Sequence, residues 1–332
     1  MHTESTPKGD LVKLTSGLLT EADARAMLER IRWPDGAHCI FSDCGGAEVY
    51  HIETKGSTLK SGRVVQPRHL LKCKACKRQF SVTKGTIFED SKIPLRTWIT
   101  VMYRMCSSKR GVSAHQVHRE FGLGYEAAWF MVHRIRWAMS EKNPTLLTGT
   151  IEADETYVGG KPRGHHLHRG KAATKSQIHK EAMARKTIVV GMLERGGRVR
   201  AQVIDRPVNR KRVQANLKAN IDLGASALIT DESWLYGGID KHLPHGIIRH
   251  KSEYVRGSTH TQGIESFWSI LKRGLIGTYY HVDAGYLNQY VQEFAFRHDT
   301  RTIRDADRFA TLLGQVDGRL DWYLGKNAQQ PS

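Results

Sequence analysis

Three carboxylates limit what this chain can fold into: Asp154 within IEADETY, Asp231 at the end of SALITD, and Glu265 within IESFWSILKRG. The first two stand in segments of β character and the third in a helical one, so gathering them requires a sheet with a helix laid against it. Asp231 terminates the apolar run Ala227-Leu228-Ile229, and α/β sheets place ligand-binding groups beyond the carboxyl ends of such strands. Strand alternation puts Asp154 on the face of Glu152, with Ile151, Ala153 and Glu155 on the other. Glu265 and Lys272 are nearly two helical turns apart, about 10 Å of rise, and project from one stripe. A solvated strand edge or an ordinary charged helix explains one member of this set. Neither explains all three.

The surrounding charge narrows the chemistry. The chain has 332 residues, a formal net charge of +18 and a pI near 9.8. So large a charge repels itself in a compact state unless a polyanion is the partner. Nucleic acid is the leading candidate, with an anionic membrane surface second. Acids gathered within such a chain point to divalent cations, which cancel charge on carboxylate and phosphate alike. No apolar run approaches the ~20 residues of a membrane span, and the N-terminal MHTESTPKGDLVKL has no secretory-signal pattern. The expected compartment is the reducing cytoplasm, in association with the nucleoid, with no membrane partner.

Four of the five cysteines form two close pairs, Cys39/Cys44 and Cys73/Cys76. The Cys73-x-x-Cys76 spacing lets two thiolates grip one zinc ion, and Cys39 and Cys44 supply the remaining corners of a tetrahedron. Four buried or free thiols are the alternative, less compatible with a lysine-rich module that has little apolar material to bury. His38 and His51 are alternative ligands, His38 awkwardly close to Cys39. Cys106 falls on the apolar stripe of a helix and belongs to the core.

The segments order into domains. Residues 1–34 form a leader and a helix capped by Thr20, and 35–85 a zinc ribbon. Residues 86–145 hold helices beginning after Pro94 and Ser113, with the turn Phe121-Gly122-Leu123-Gly124, which is helix-turn-helix grammar. From residue 146 to 300 the pattern changes to TIEADETYV, then TIVVGMLE and RVRAQVID as a hairpin, a helix, SALIT, GIIRH, and the helix of Glu265. Three strands, helix, two strands, helix is an α/β order of the ribonuclease-H kind, a mixed sheet with flanking helices. Residues 301–332 form a terminal helix and tail.

With these motifs the sequence resembles the insertion-sequence transposases of the ISXO type, which carry an N-terminal zinc ribbon and an Asp-Asp-Glu core. The resemblance runs through WPDG, the cysteines, QFSVTKGTIFEDSKIPL, the helix-turn-helix, IEADETYVGGK and HTQGIESFWSILKRGLIGTYYHV, roughly residues 20 to 300. It implies a ribonuclease-H-like fold, two Mg²⁺ (or Mn²⁺) ions on Asp154, Asp231 and Glu265, Lys272 at the adjacent phosphate, and one structural Zn²⁺. It also implies cleavage and rejoining of double-stranded DNA at the element's terminal repeats and in target DNA, by a homodimer or higher homo-oligomer, because two ends are handled together. The first cysteine pair departs from the family's usual two-residue gap by enclosing four residues, IFSD. Gln262 occupies the place where related sequences often carry Asn, so Gln262 or His260 is a candidate assistant to Glu265. The competing classes are a non-catalytic DNA-binding regulator derived from a transposase and a metal-dependent nuclease that does not join strands.

Expected DNA contacts fall in two regions. In the second helix of the helix-turn-helix, Tyr125 stands where base edges are read, and His133, Arg134 and Arg136 where phosphates could be met; the alternative is a plain three-helix core packed by Trp129, Val132 and Trp137. The segment from Lys161 to Lys186, within a basic insertion at 159–186, has eight Lys or Arg, four His and one acid. Its Lys161, Arg163, Arg169 and Lys171, with Lys272 and Arg273, are candidate phosphate contacts acting through counterion release. A solvated loop is the alternative. His165, His166 and His168 lack a partnering acid or thiol and make a poor metal site. Trp268 either packs in the core, the weightier reading, or stacks on an unpaired base.

Overall fold

The computed structural model describes residues 8–58, 60–62, 64–65, 67–159, 186–248 and 260–318. Lys161, Arg163, Arg169, Lys171 and the three histidines of the insertion lie outside the described residues. The chain forms two compact units, one of Met1–Ser107, Ala114–Ala138 and Ile303–Ser332, the other of Ser108–Ser113 and Met139–Thr302.

The first unit opens with α1 (Lys8–Thr15) and α2 (Glu21–Arg32). A capping box starts α2: Asp23 N–H donates to the Thr20 hydroxyl and Thr20 N–H to the Asp23 carboxylate, satisfying two end donors reciprocally. Ala24, Met27 and Leu28 then face inward at helical spacing. Strands β1 (Val49–Thr54), β2 (Ser57–Thr58), β3 (Val64–Val65), β4 (Arg68–Cys73) and β5 (Gln79–Phe80) follow, with β1-β4-β5 in one antiparallel sheet and β2-β3 in another. Pro94 precedes α3 (Leu95–Ser107), which buries Leu95, Trp98, Ile99, Met102 and, as expected, Cys106. The Glu21 carboxylate accepts the Leu95 and Arg96 N–H groups at 2.9 and 3.0 Å, so α2 caps the start of α3, where negative charge is favoured. Helices α4 (Ala114–Phe121) and α5 (Tyr125–Met139) are joined by a turn in which Gly122 takes a φ of +63°, a conformation glycine adopts without cost.

Burial corrects part of the expected DNA face. Helix α5 is covered on most of its circumference: His133 and Arg136 are buried among Ala128, Met131, Val132 and Ile135, and Arg134 donates to the carbonyls of Ile87 and Glu89. His133 and Arg136 therefore do not reach solvent to meet a phosphate. Burial, with the Arg136 charge beside it, holds the His133 imidazole neutral, its pKa down at about 2. Tyr125 remains 44% exposed, its ring stacked on His115 at 4.4 Å.

The second unit is a five-stranded mixed sheet of order β10-β9-β6-β7-β8, built from β6 (Leu147–Val158), β7 (Thr187–Glu194), β8 (Val199–Ile204), β9 (Ile221–Asp231) and β10 (His245–Ile248). The β6-β7 and β7-β8 pairs are antiparallel, while β9 runs parallel to β6 and β10 parallel to β9. Helices α6 (Arg210–Asn220), α7 (Gln262–Gly274) and α8 (Leu287–Asp299) cover it. Strand β7 reads as a continuous apolar run because both of its faces are buried. Ile188, Val190 and Met192 join the core containing Val213 and Leu217 of α6, and Val189 and Leu193 join the core containing Ile264, Phe267, Trp268 and Leu271 of α7. Gly191 faces α7, and a Cβ there would lie 2.6 Å from the Trp268 ring. The helix approaches this closely only because the strand offers no side chain at that position.

The last helix among the described residues, α9 (Asp305–Leu313), lies against α2 and α3 of the first unit and contributes Phe309, Leu312 and Leu313 to its interior. The chain beyond it delivers Val316, also buried, and Asp317, which forms a bridge with Thr86 and an ion pair of 2.8 Å with Arg32. Gly191→Ala should displace Trp268 and destabilise the second unit by about 1–3 kcal/mol, the range for overpacking a filled core; denaturant melts should show a lowered midpoint.

Candidate metal centres

The first centre arises where β4 ends. Cys73 closes the strand, a turn with Lys77 at a φ of 60° brings Cys76 back, and Cys73 N–H donates to the Arg78 carbonyl. Cys39 and Cys44 arrive from the loop after α2. The four thiols are free, with Cys39 Sγ 3.8 Å from Cys76 Sγ and Cys44 Sγ 3.7 Å from Cys73 Sγ. Zinc–sulfur bonds of about 2.3 Å in a tetrahedron separate the sulfurs by about 3.8 Å, so this set fits one structural Zn²⁺.

The widened first knuckle is held by one side chain. Arg78 Nε donates to Cys76 Sγ at 3.4 Å, its Nη2 donates to Asp43 Oδ1 at 2.6 Å, and its guanidinium lies 4.0 Å over the Phe41 ring. Phe41 and Asp43 belong to the four residues between Cys39 and Cys44, so the enlarged loop is tied to the opposite knuckle by an ion pair and a cation–π contact. The guanidinium also lowers the Cys76 thiol to about 6, favouring the thiolate a metal needs. Arg78→Ala should release zinc to a colorimetric chelator about 10–100 times faster than the parent, as loss of an outer-shell partner does.

The second centre lies at the carboxyl end of β9, where its pairing with β6 stops partway along that longer strand. Their parallel register pairs Glu152 with Ile229, and two residues further along each strand come Asp154 and Asp231. Ligand atoms of Asp154, Glu155 and Asp231 all lie within 4.8 Å of one another. The Glu155 carboxylate is fixed by the Ser233 hydroxyl at 3.0 Å and the buried Tyr236 hydroxyl at 2.7 Å, while Ser233 N–H donates to Asp231 at 2.9 Å. On the other face the indole N–H of Trp268 donates to Asp154 Oδ2 at 3.0 Å. Trp268 is thus buried core that also steadies an acid, and is not available to stack on a base.

Helix α7 is anchored by a residue that charge counting passes over. Glu152 is buried, and its carboxylate accepts the Ile264 N–H in the first turn of α7 at 3.1 Å and Arg195 Nε at 2.8 Å. Arg195 Nη2 in turn donates to the His260 carbonyl at 2.7 Å, and the His260 ring lies 3.5 Å from the same carboxylate. Gly263 makes room, since a Cβ there would stand 2.8 Å from Glu152. Glu265, exposed in the first turn of α7, accepts from the Thr261 hydroxyl at 2.8 Å; Gln262, Lys272 and Arg273 are exposed on the same helix. Among the described residues the acids whose ligand atoms converge are therefore Asp154, Glu155 and Asp231, with Glu265 on the neighbouring helix. The signal for Glu155 is the DES of residues 231–233: a serine two positions past a strand-end acid can donate its N–H to that carboxylate and its hydroxyl to a second one.

Crowding shows in the titration. Burial, with the charges of Glu155 and Asp231 nearby, raises the Asp154 carboxyl to about 7, and burial raises Glu155 as well. The folded state then binds more protons than the unfolded chain between the ordinary carboxylate pKa and about 7, so this site's contribution to stability falls as pH rises through that window. Asp154→Asn should flatten that fall relative to the parent in thermal melts from pH 4.5 to 7.5 without added divalent cation.

Comparison with known proteins agrees with this arrangement. Residues 146–299 match the family model of the ISXO2-like transposase domain, and residues 19–79 match that of the transposase zinc-ribbon domain. The chain is also 26% identical over 304 residues, 89% of its length and 96% of the relative's, to an uncharacterised protein in transposable element ISH50 of Halobacterium salinarum. A four-cysteine ribbon and an acid-bearing mixed sheet, matched in this order, define a transposase. The chain belongs to the ISXO2-like insertion-sequence transposases. No helix among the described residues is long and apolar enough to cross a membrane.

Proposed function

We propose that this transposase cuts and rejoins double-stranded DNA at the ends of its insertion sequence, with Mg²⁺ or Mn²⁺ as cofactor. The observation that carries this reading is the parallel β6-β9 register, which sets Asp154 beside Asp231 with Glu155 within ligand distance. The strand order β10-β9-β6-β7-β8, three antiparallel strands extended by two parallel ones, supports a ribonuclease-H-like core. The donor set also fits hard divalent cations: the ligands are oxygens, and their burial and mutual repulsion, which together raise the Asp154 pKa, are what a bound cation offsets.

Asp154, within β6, and Asp231, at the end of β9, are the proposed metal ligands. Glu155 and Glu265 are the candidates for the third acid. A pair of such ions, when bound, lowers the pKa of an attacking water and neutralises charge on the scissile phosphate. Ser233, Tyr236 and Trp268 hold the acids in place, as a site for phosphoryl transfer requires. Lys272, on the exposed side of α7, offers its ammonium to a neighbouring phosphate, and Arg273 adds a second cation. Water attacks the phosphate at the element end and displaces its 3′ oxygen; the resulting 3′-hydroxyl then attacks a target phosphate and displaces the target's own 3′ oxygen as a hydroxyl, so no bond to the protein forms. The four-cysteine ribbon and the α4-α5 pair are the proposed readers of the terminal repeats, with Tyr125 the exposed residue at the start of α5. Two ends imply at least two copies of the chain.

Incubating the protein with duplexes carrying the element's ends should give nicks in Mg²⁺, followed by joined products. Asp231→Asn should lower nicking by more than the ~100-fold that outer-shell partners carry. Comparing Glu155→Gln with Glu265→Gln identifies the third acid as the one whose loss abolishes nicking while gel-shift binding persists. Nicking that survives Asp231→Asn overturns the site; nicks without joining favour a nuclease, and binding without nicks a regulator.

A further inference from the structure

Immediately beyond Asp231 the chain makes a short 3₁₀ turn, Trp234–Tyr236, whose backbone and flanking side chains are fixed from several directions. Before it, Ser233 is bonded to Asp231 through its N–H and to Glu155 through its hydroxyl. After it, the Tyr236 hydroxyl is bonded to Glu155, and Gln214 donates to the Gly237 carbonyl at 2.8 Å. Arg210 Nε donates at 3.0 Å to the carbonyl of Trp234 itself. Leu235, Tyr236 and Ile239 are buried in the core beneath. The Trp234 side chain alone points away from this mount, 62% exposed.

Single exposed apolar residues are common on protein surfaces and ordinarily carry no meaning. This one differs in two respects. Its backbone is held by Arg210, between Ser233 and Tyr236 that are bonded to the acids, so the indole is carried at a fixed place in the chain beside the cluster. It also stands three residues from Asp231, where the sugar-phosphate chain must pass if that cluster cuts DNA. A duplex base pair is stacked on both sides, whereas a base beside a strand break or a distorted step has a free face that an aromatic ring can cover.

We infer that Trp234 is a stacking platform for an unpaired nucleobase next to the scissile phosphate, an inference that rests on reading the acid cluster as the DNA-cutting site. The platform takes any of the bases, since each has a π face, and it holds the strand end open without contributing to sequence recognition. The role once conceivable for Trp268 falls instead to a residue on the opposite side of the cluster.

The test uses the full, zinc-loaded chain, end duplexes with 2-aminopurine at each nucleotide flanking the cut, and Trp234→Ala and Trp234→Phe variants checked for unchanged melting. With Ca²⁺ in place of Mg²⁺, the parent and Trp234→Phe should quench the fluorescence at one position, and Trp234→Ala should not. In Mg²⁺, Trp234→Ala should cut fully paired ends about 5–100 times more slowly, the span expected from losing one base stack, and recover on ends mismatched at that position. Quenching that persists in Trp234→Ala, or equal slowing on paired and mismatched ends, overturns the platform. A changed sedimentation state with unchanged quenching overturns it in favour of a contact with a second copy of the chain. A parent protein that quenches through Trp234 yet never cuts supports the platform and retires the strand-cutting reading.

Discussion

The buried carboxylate of Glu152 is the contact on which the geometry of the acidic site depends. A charged group in an apolar interior persists only when its oxygens are occupied by donors, and here those donors come from two other places in the chain: the first turn of α7 and Arg195. The result fixes where α7 begins relative to β6. Trp268 follows from it, because a helix anchored at Ile264 places the residue one turn later over Gly191 and within reach of Asp154. Glu265 and Lys272 inherit their positions from the same anchor. An acid that binds nothing but its own protein thus sets the distance between the acid cluster and Glu265.

Much of this was legible in sequence, for identifiable reasons. Spacing rules are local, so the thiol pairs, the Thr20 cap, the stripe of α3 and the strand ending at Asp231 could be read from neighbours a few positions away. Glu152 was not legible as an anchor, because its partners stand 43 and 112 positions off. Strand alternation puts Glu155 on the face opposite Asp154, and its ties to Ser233 and Tyr236 do lie on the side of the core opposite α7. Where β6 runs on past the end of its pairing with β9, however, a longer side chain can bring its carboxylate alongside a shorter one from the other face. His133 and Arg136 were misread for a related reason: charge in a helix suggests solvent, but α5 is enclosed on so many sides that even polar residues turn inward.

Electrostatics divides labour within the chain. The net charge of +18 is a long-range asset for a protein that meets a polyanion, drawing it in from beyond contact. The acid cluster runs against that field locally, and burial, with mutual repulsion added to it, raises the titration of Asp154 and Glu155. Such a site is costly to hold together without counter-charge, and the packing around it, with two apolar cores sandwiching the sheet, supplies the stability that the acids withdraw.

The C-terminal segment completes the unit that the N-terminus begins. Phe309, Leu312, Leu313 and Val316 fill an interior whose other walls, α2 and α3, leave the ribosome well before the sheet does. During synthesis those helices and the adjoining ribbon wait with an unfinished apolar surface while the entire mixed sheet is made. A nascent chain, or one cut short by a premature stop, can therefore own every acid of the sheet and still lack the apolar side chains of α9 and Val316 that fill the first unit.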